Sequence, residues 1–148
     1  MPGLEDLYRE IILDHYRSPR NRGSLETPPA VVAQGHNPLC GDEIQVYLLV
    51  ENGVVADVKV GGQGCSISQS SASMMTQAIK GKPLPEAQRV LDAFRRMMGL
   101  EVDGDAPDEP VKLGDLEALQ GVVKFPVRIK CATLAWTTLA QAIDEVTA

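Results

Sequence analysis

Apolar side chains follow two different periods along this chain. Near the N-terminus, one helical face carries Leu4, Leu7, Tyr8, Ile11 and His15. This spacing predicts a helix over about 3–16, which Pro2 favours at its start and Pro19 ends. Further along, apolar and polar residues alternate over 44–50 and again over 54–60, as in strands with one buried face. A short strand is also predicted over 30–34.

A tight turn connects the two alternating segments. Asn52-Gly53 supplies the two positive-φ residues of a two-residue hairpin, and the run Gly61–Gly64 is expected to end the second strand. Helices are then predicted over 66–80, from Pro85 to Gly99, around 113–119 and from Pro126 onward. The last helix is expected to bury one face, made of Val127, Cys131, Leu134, Thr138 and Ala142. These elements favour an α+β fold in one domain spanning 1–148.

Composition limits the classes of partner. The 148 residues are 44% hydrophobic, which is enough for a core, and the net charge of −6 repels nucleic acid. No apolar run approaches the roughly 20 residues that span a bilayer. The N-terminal segment carries acids where a secretory signal carries a basic region and an apolar core. We therefore expect a cytoplasmic protein that neither enters a membrane nor binds nucleic acid.

The three cysteines stand at junctions between predicted elements. Cys40 precedes the first hairpin strand, Cys65 follows the second, and Cys131 lies in the first turns of the last helix. If the strands pair through Asn52-Gly53, Cys40, Asp42 and Cys65 meet at one end of the sheet. The spacing does not bring Cys131 to them, because 65 residues separate it from Cys65. Three buried, inert cysteines are the alternative interpretation.

Metal binding is the chemistry that such residues offer together. The starts of helices favour the thiolate form, which is the form that binds metal. Three sulfurs and one carboxylate oxygen suit tetrahedral Zn²⁺, and the same soft donors suit iron–sulfur clusters. Lys130 could offset part of the negative charge. A turn residue is the alternative interpretation of Asp42. The odd number of cysteines argues against a disulfide framework.

Four segments resemble a known family in the same order along the chain. LYREIILDHYRSPRNRG, NPLCGDEI, GGQGCSISQSSASMM and PVRIKCATLAW are similar to the SufU branch of the iron–sulfur cluster assembly scaffolds, relatives of IscU and of the N-terminal domain of NifU. The resemblance implies a three-stranded antiparallel sheet with helices packed on it. It also implies that Cys40, Asp42, Cys65 and Cys131 are the metal or cluster ligands, and that about 99–123 are the extra segment of SufU-like members.

The resemblance carries a function as well. SufU-like members accept persulfide sulfur from a SufS-type cysteine desulfurase with zinc at the site, so Cys40 becomes the candidate catalytic acceptor and Cys131 its rival. A scaffold that assembles a transient [2Fe–2S] or [4Fe–4S] cluster for recipient or carrier proteins is the alternative. A structural zinc protein is a third possibility. IscU-like members have histidine at the position of Lys130 and LPPVK where this chain has KFPVR at 124–128, which favours sulfur transfer and argues against a dedicated chaperone.

The remaining candidates have structural interpretations. His15 on a helix face and His36 in a loop are expected to be structural, although His36 could lie near the site. The arginines at 17, 20 and 22 are expected on an exposed turn, with a docking surface as the alternative. Methionines are expected to pack in the core.

Overall fold

A computed structural model of the protein describes residues 2–38, 41–100, 102 and 111–147, with the backbone alone over 2–6. In chain order its elements are α1 (Pro2–Arg17), β1 (Val31–Asn37), β2 (Asp42–Glu51), β3 (Val54–Gln63), α2 (Ser66–Ile79), α3 (Leu84–Met97), a 3₁₀ helix (Gly114–Lys124) and α4 (Pro126–Thr147).

The sheet is antiparallel, with strand order β1-β2-β3. Asn52 and Gly53 both have positive φ, 54° and 76°, so the predicted hairpin turn between β2 and β3 is confirmed. Val46, Leu48 and Val58 are fully buried on the face that carries the core. The predicted fold class, a three-stranded antiparallel sheet with helices packed on it, is therefore confirmed.

Helix α4 lies against β1 and β2 on this face. A Cβ atom at Gly35 of β1 would collide with Thr138 Oγ1 of α4, so only glycine lets the two backbones approach so closely. Trp136 of α4 is fully buried and stacks on Phe94 of α3, with ring centroids 4.3 Å apart. These contacts fix α4 across the sheet.

Four predictions from the local pattern need correction. Strand β1 runs from Val31 to Asn37 and β3 continues to Gln63. Gly61 and Gly62 do not end β3, because they pair with Gln45 and Ile44 and a side chain at Gly62 would meet the backbone of Glu43. The 3₁₀ helix and the start of α4 also differ from the prediction.

The predicted helix around 113–119 is a longer 3₁₀ helix that passes through Gly121. Leu116, Leu119 and Val122 are buried three residues apart, which is the period of a 3₁₀ helix. Val127 was expected to be buried but is 68% exposed, because α4 meets the core only after its first turn. The insertion at 99–123 stays a prediction, and 101 and 103–110, which include most of its acidic stretch, lie outside the described residues.

The segment between α1 and β1 is attached to the rest of the fold by polar contacts. Arg20 donates to Asp14, and this guanidinium lowers the pKa of the Asp14 carboxyl, first through the hydrogen bond and then through its charge. Arg22 donates to Gln69 and to the carbonyl oxygen of Gly62. At least two of the arginines on this turn therefore have partners within the chain.

Candidate metal centre

One end of the sheet brings Asp42 and Cys65 together. Asp42 begins β2, and β3 ends at Gln63, which pairs with Glu43. Two residues later Cys65 is the N-cap residue of α2, and its backbone N–H donates a hydrogen bond of 3.0 Å to Asp42 Oδ1. The hairpin therefore places these two residues side by side, as its turn predicted.

Packing of α2 against α4 brings a second sulfur, that of Cys131, close to Cys65. Ser71 of α2 donates to the carbonyl oxygen of Ala132, 2.5 Å away, and Trp136 Nε1 donates to Ser71 Oγ at 3.0 Å. Ala132 follows Cys131 directly, so this buried hydroxyl connects the helix that begins beside Cys65 to the turn of α4 that carries Cys131. The sequence carries one hint of such a role, a run of small polar residues along α2.

Three ligand atoms converge as a result. A carboxylate oxygen of Asp42 and the sulfurs of Cys65 and Cys131 all lie within 4.8 Å of one another. Asp42 and Cys131 are buried, and Cys65 is half-buried. Ligands of tetrahedral Zn²⁺ stand about 3.8 Å apart when the metal–sulfur bonds are about 2.3 Å long. A small contraction of this cluster would meet that geometry.

A buried polar atom supports the same interpretation. Asp42 Oδ2 is buried, and no other described residue offers it a hydrogen-bond partner. Buried carboxylate oxygens without a partner are rare in proteins and costly. A cation coordinated by this oxygen and two thiolates would satisfy it, so the residues present fit a zinc ion or the iron of a cluster.

Glycine makes room for this arrangement. A Cβ atom at Gly64 would stand 2.5 Å from Asp42 Oδ1 and would also collide with Ser68 Oγ. Cys65 Sγ lies 3.8 Å from Ser68 Oγ, and the Ser68 hydroxyl donates to the Cys65 carbonyl oxygen at 3.1 Å. The small residues around Cys65 therefore allow close approach of the backbone.

The predicted ligand set is described only in part. Cys40 lies outside the described residues, so its role as ligand and acceptor stays a prediction. Cys131 is the sixth residue of α4, beyond the first turn, where the helix dipole has largely faded. The helix start is therefore only a weak source of stabilisation for its thiolate, and that expectation stays a prediction. Lys130 is exposed, and its ammonium forms no salt bridge with any described residue.

The other candidates lie outside the centre. His15 is fully buried between Ser73 and Asp115, at 2.8 Å and 3.0 Å, which confirms its structural role. His36 was expected in a loop but is exposed on β1, one residue before Asn37, the cross-strand partner of Asp42. Three of the methionines expected in the core, Met74, Met75 and Met98, are buried.

Comparison with known proteins shows which family this chain resembles. The model of the NifU-like N-terminal domain matches residues 7–147. The zinc-dependent sulfurtransferase SufU of Bacillus subtilis is 49% identical, over 96% of this chain and 92% of that protein. The iron–sulfur cluster assembly scaffold protein IscU of Streptococcus pyogenes is 41% identical, over 96% and 86%.

A solved structure extends the likeness to three dimensions. The putative iron–sulfur cluster assembly scaffold protein for the SUF system from Fervidobacterium islandicum is 35% identical and superposes with a TM-score of 0.74, over 88% of this chain and 92% of that one. The fold and this likeness place the chain in a class of small α+β proteins with an antiparallel sheet. This chain belongs to the NifU-like N-terminal domain family, in its SufU and IscU group. None of the described helices combines the length and the hydrophobicity that a membrane span requires.

Proposed function

We propose that this protein works in iron–sulfur cluster assembly as a zinc-binding sulfur acceptor, taking persulfide sulfur from a SufS-type cysteine desulfurase. The observation that carries the proposal is the convergence of Asp42, Cys65 and Cys131 within 4.8 Å. The 49% identity to a zinc-dependent sulfurtransferase supports zinc rather than another metal. Cys40, two residues before Asp42 in the sequence, is proposed as the further ligand.

The transfer needs a nucleophilic sulfur and a route to it. The acceptor thiolate attacks the terminal sulfur of the donor's persulfide, so a new S–S bond forms on this chain while the donor's S–S bond breaks. The desulfurase cysteine leaves as a thiolate, and no net oxidation occurs. A bound Zn²⁺ would keep the resting thiolates deprotonated and shielded from oxidation.

The chain's own residues prepare the acceptor. Asp42 is held in place by the Cys65 N–H and is a hard ligand on a soft site, so it favours release of the metal over permanent capture. Cys65 and Cys131 are on helices that pack on one another, and are therefore the less mobile ligands. We assign the acceptor role to Cys40, because a thiol between two strands can leave the metal more easily, and Cys131 is its rival.

Alanine production by the desulfurase tests this function. The zinc-loaded protein is titrated into a SufS-type cysteine desulfurase with cysteine, and alanine is measured. We expect stimulation by the wild-type chain and its loss in Cys40→Ala. Mass spectrometry of the trapped persulfide then distinguishes Cys40 from Cys131. No stimulation by zinc-loaded wild type would exclude the sulfur-acceptor function.

A scaffold role is the second candidate, because the same sulfur and oxygen donors suit a cluster and an IscU scaffold is 41% identical. Anaerobic reconstitution with iron and sulfide, followed by incubation with an apo-ferredoxin, tests it. Transfer of an intact cluster at a rate above that of free iron and sulfide would support the scaffold. Its absence would leave sulfur transfer as the function of the centre.

A further inference from the structure

The two edges of the sheet differ in how far other segments of the chain cover them. Along β3, Val60 exchanges backbone hydrogen bonds of 3.0 Å with Asn21 and Gly23, and Val55 does so with Gly81 and Lys82 at 2.8 and 2.9 Å. This edge is therefore covered near both ends. Along β1, the backbone groups of 31–36 bond to no described residue outside β2. One edge is closed and the other is open.

Within the part of the chain that the structure describes, the open edge has none of the devices that usually protect such strands. The seven residues of β1 read VVAQGHN, without proline, lysine or any other charged residue apart from a histidine, and their register with β2 has no bulge. At about 3.3 Å per residue the edge is about 23 Å long. Proteins commonly block edges of this kind because they pair with other chains. An edge left open in this way is suited to receiving a strand.

A cavity runs beside this edge. It has a volume of about 350 Å³ and lies between the end of β1 and one side of α4. The α4 residues that line it follow helical spacing along one face and are Lys130, Thr133, Leu134 and Thr137. A groove between an edge strand and a helix is the geometry that binds extended peptides by strand addition.

Two residues that line the groove are neighbours of the proposed metal ligands. Asn37 at the end of β1 pairs with Asp42, and Lys130 directly precedes Cys131. Because Asp42 and Cys131 are each 1% exposed, a macromolecular donor can reach them only with a narrow segment. A segment lying in the groove would run along β1 directly toward these ligands.

From these contacts we infer that the open edge of β1 and the adjoining face of α4 bind an extended segment of the cysteine desulfurase as a fourth strand. This inference rests on the proposed function for the identity of the partner. The added strand would place alternate side chains against Leu134 and Thr137, with an acidic side chain at Lys130.

Charge selects this occupant over a second copy of the same chain. Among the described residues that line the cavity, Lys130 is the only acidic or basic one other than histidine, and it forms no salt bridge with them or with the rest of the described chain. In a pairing of two β1 edges the incoming strand would be VVAQGHN, which carries no acid to meet Lys130. Two chains of net charge −6 would also repel one another.

Two measurements test the inference on the zinc-loaded, full-length protein. Hydrogen exchange is followed at the amides of 31–36 with and without a SufS-type desulfurase, and we expect slower exchange in the complex. Alanine production is then titrated with Thr137→Arg, which places a large cation in the groove. The matched control is Thr147→Arg, the same change on an exposed residue at the far end of α4.

We expect Thr137→Arg to raise the half-saturating concentration about tenfold, equal to about 1.4 kcal/mol, without changing the maximal rate. Thr147→Arg should behave as wild type. The strand-addition inference is overturned if both variants stimulate the desulfurase with the same half-saturating concentration and β1 is not protected from exchange. The proposed function would then remain intact. Protection of β1 without stimulation would support the inference and exclude the function, and the absence of both would exclude both. A dimer formed through β1 in the absence of desulfurase would assign the edge to a second copy and overturn the inference.

Discussion

Gly64 and Asp42 are in such close contact that the site has no room for a side chain at position 64. An added Cβ would stand 2.5 Å from Asp42 Oδ1, the oxygen that accepts the Cys65 N–H. The carboxylate orientation and the backbone between β3 and α2 are therefore fixed together. We therefore expect a substitution at either position to displace the proposed ligands.

Gly64→Ala should displace the Asp42 carboxylate. Neither the backbone at position 64 nor this carboxylate can move aside without breaking the hydrogen bond from the Cys65 N–H. We expect zinc affinity to fall about tenfold or more, as when the groups that orient a ligand are lost. Competition with a chromogenic chelator measures it. Gly121→Ala is the control, since its Cβ would meet nothing within 4 Å. Equal affinities for the two variants would contradict this role of Gly64.

Asp42→Asn separates the structural role of this side chain from its charge. An amide oxygen can still accept the Cys65 N–H, so the free energy of unfolding without metal should change little. The anionic ligand is lost, however, and we expect zinc affinity to fall at least about tenfold. Asp42→Ala should lower both quantities. If Asp42→Asn bound zinc as wild type does, Asp42 would be a turn residue and not a ligand.

Removal of metal should destabilise the fold, because the ligands belong to three different elements. At a free zinc concentration about 1,000 times the dissociation constant, binding contributes about 4 kcal/mol. In a protein of this size this corresponds to a Tm shift on the order of 10 °C on treatment with chelator. Cys65→Ser combined with Cys131→Ser should abolish the response. A wild-type Tm that changes neither with chelator nor with added zinc would argue against a bound metal.

Ser71→Ala tests the connection between α2 and α4. The change leaves the buried Trp136 N–H without its acceptor, which costs about 1–3 kcal/mol. Denaturant unfolding followed by the fluorescence of the single tryptophan measures the loss. Ser66→Ala, on the same helix with a half-buried side chain, is the control. We also expect weaker zinc binding in Ser71→Ala, and a loss of stability below about 0.5 kcal/mol would mean that the hydroxyl is dispensable.

His15→Leu should loosen the 3₁₀ helix from α1. His15 Nε2 donates to the Asp115 carboxylate, which can only accept, and His15 Nδ1 hydrogen-bonds the Ser73 hydroxyl, which also accepts the Arg20 N–H. Loss of the imidazole leaves the buried Ser73 hydroxyl without this partner, at a cost of about 1–3 kcal/mol. Amides of the 3₁₀ helix should exchange faster, as hydrogen exchange can show. Asp115→Asn keeps an acceptor and should have a smaller effect, and unchanged exchange in His15→Leu would show that other contacts hold this helix.

Local patterns predicted most of the fold but misjudged where some elements end. Gly61 and Gly62 were expected to end β3, yet they remain paired because glycine tolerates the φ of 109° at Gly62 and the contact with Glu43. Val127 fits the apolar spacing of α4 but lies before the helix reaches the core. Periodicity identifies a face that can be buried, and the neighbours decide how much of it is.

The sequence by itself determined that Asp42 and Cys65 are neighbours. Alternation of period two and the Asn52-Gly53 turn set the register of the hairpin, and register follows from interactions between residues close in the chain. The placement of Cys131 was decided only by tertiary structure. It depends on α4 packing against Gly35 and on the hydroxyl of Ser71, contacts whose partners lie far apart in the sequence, so no local pattern contains them.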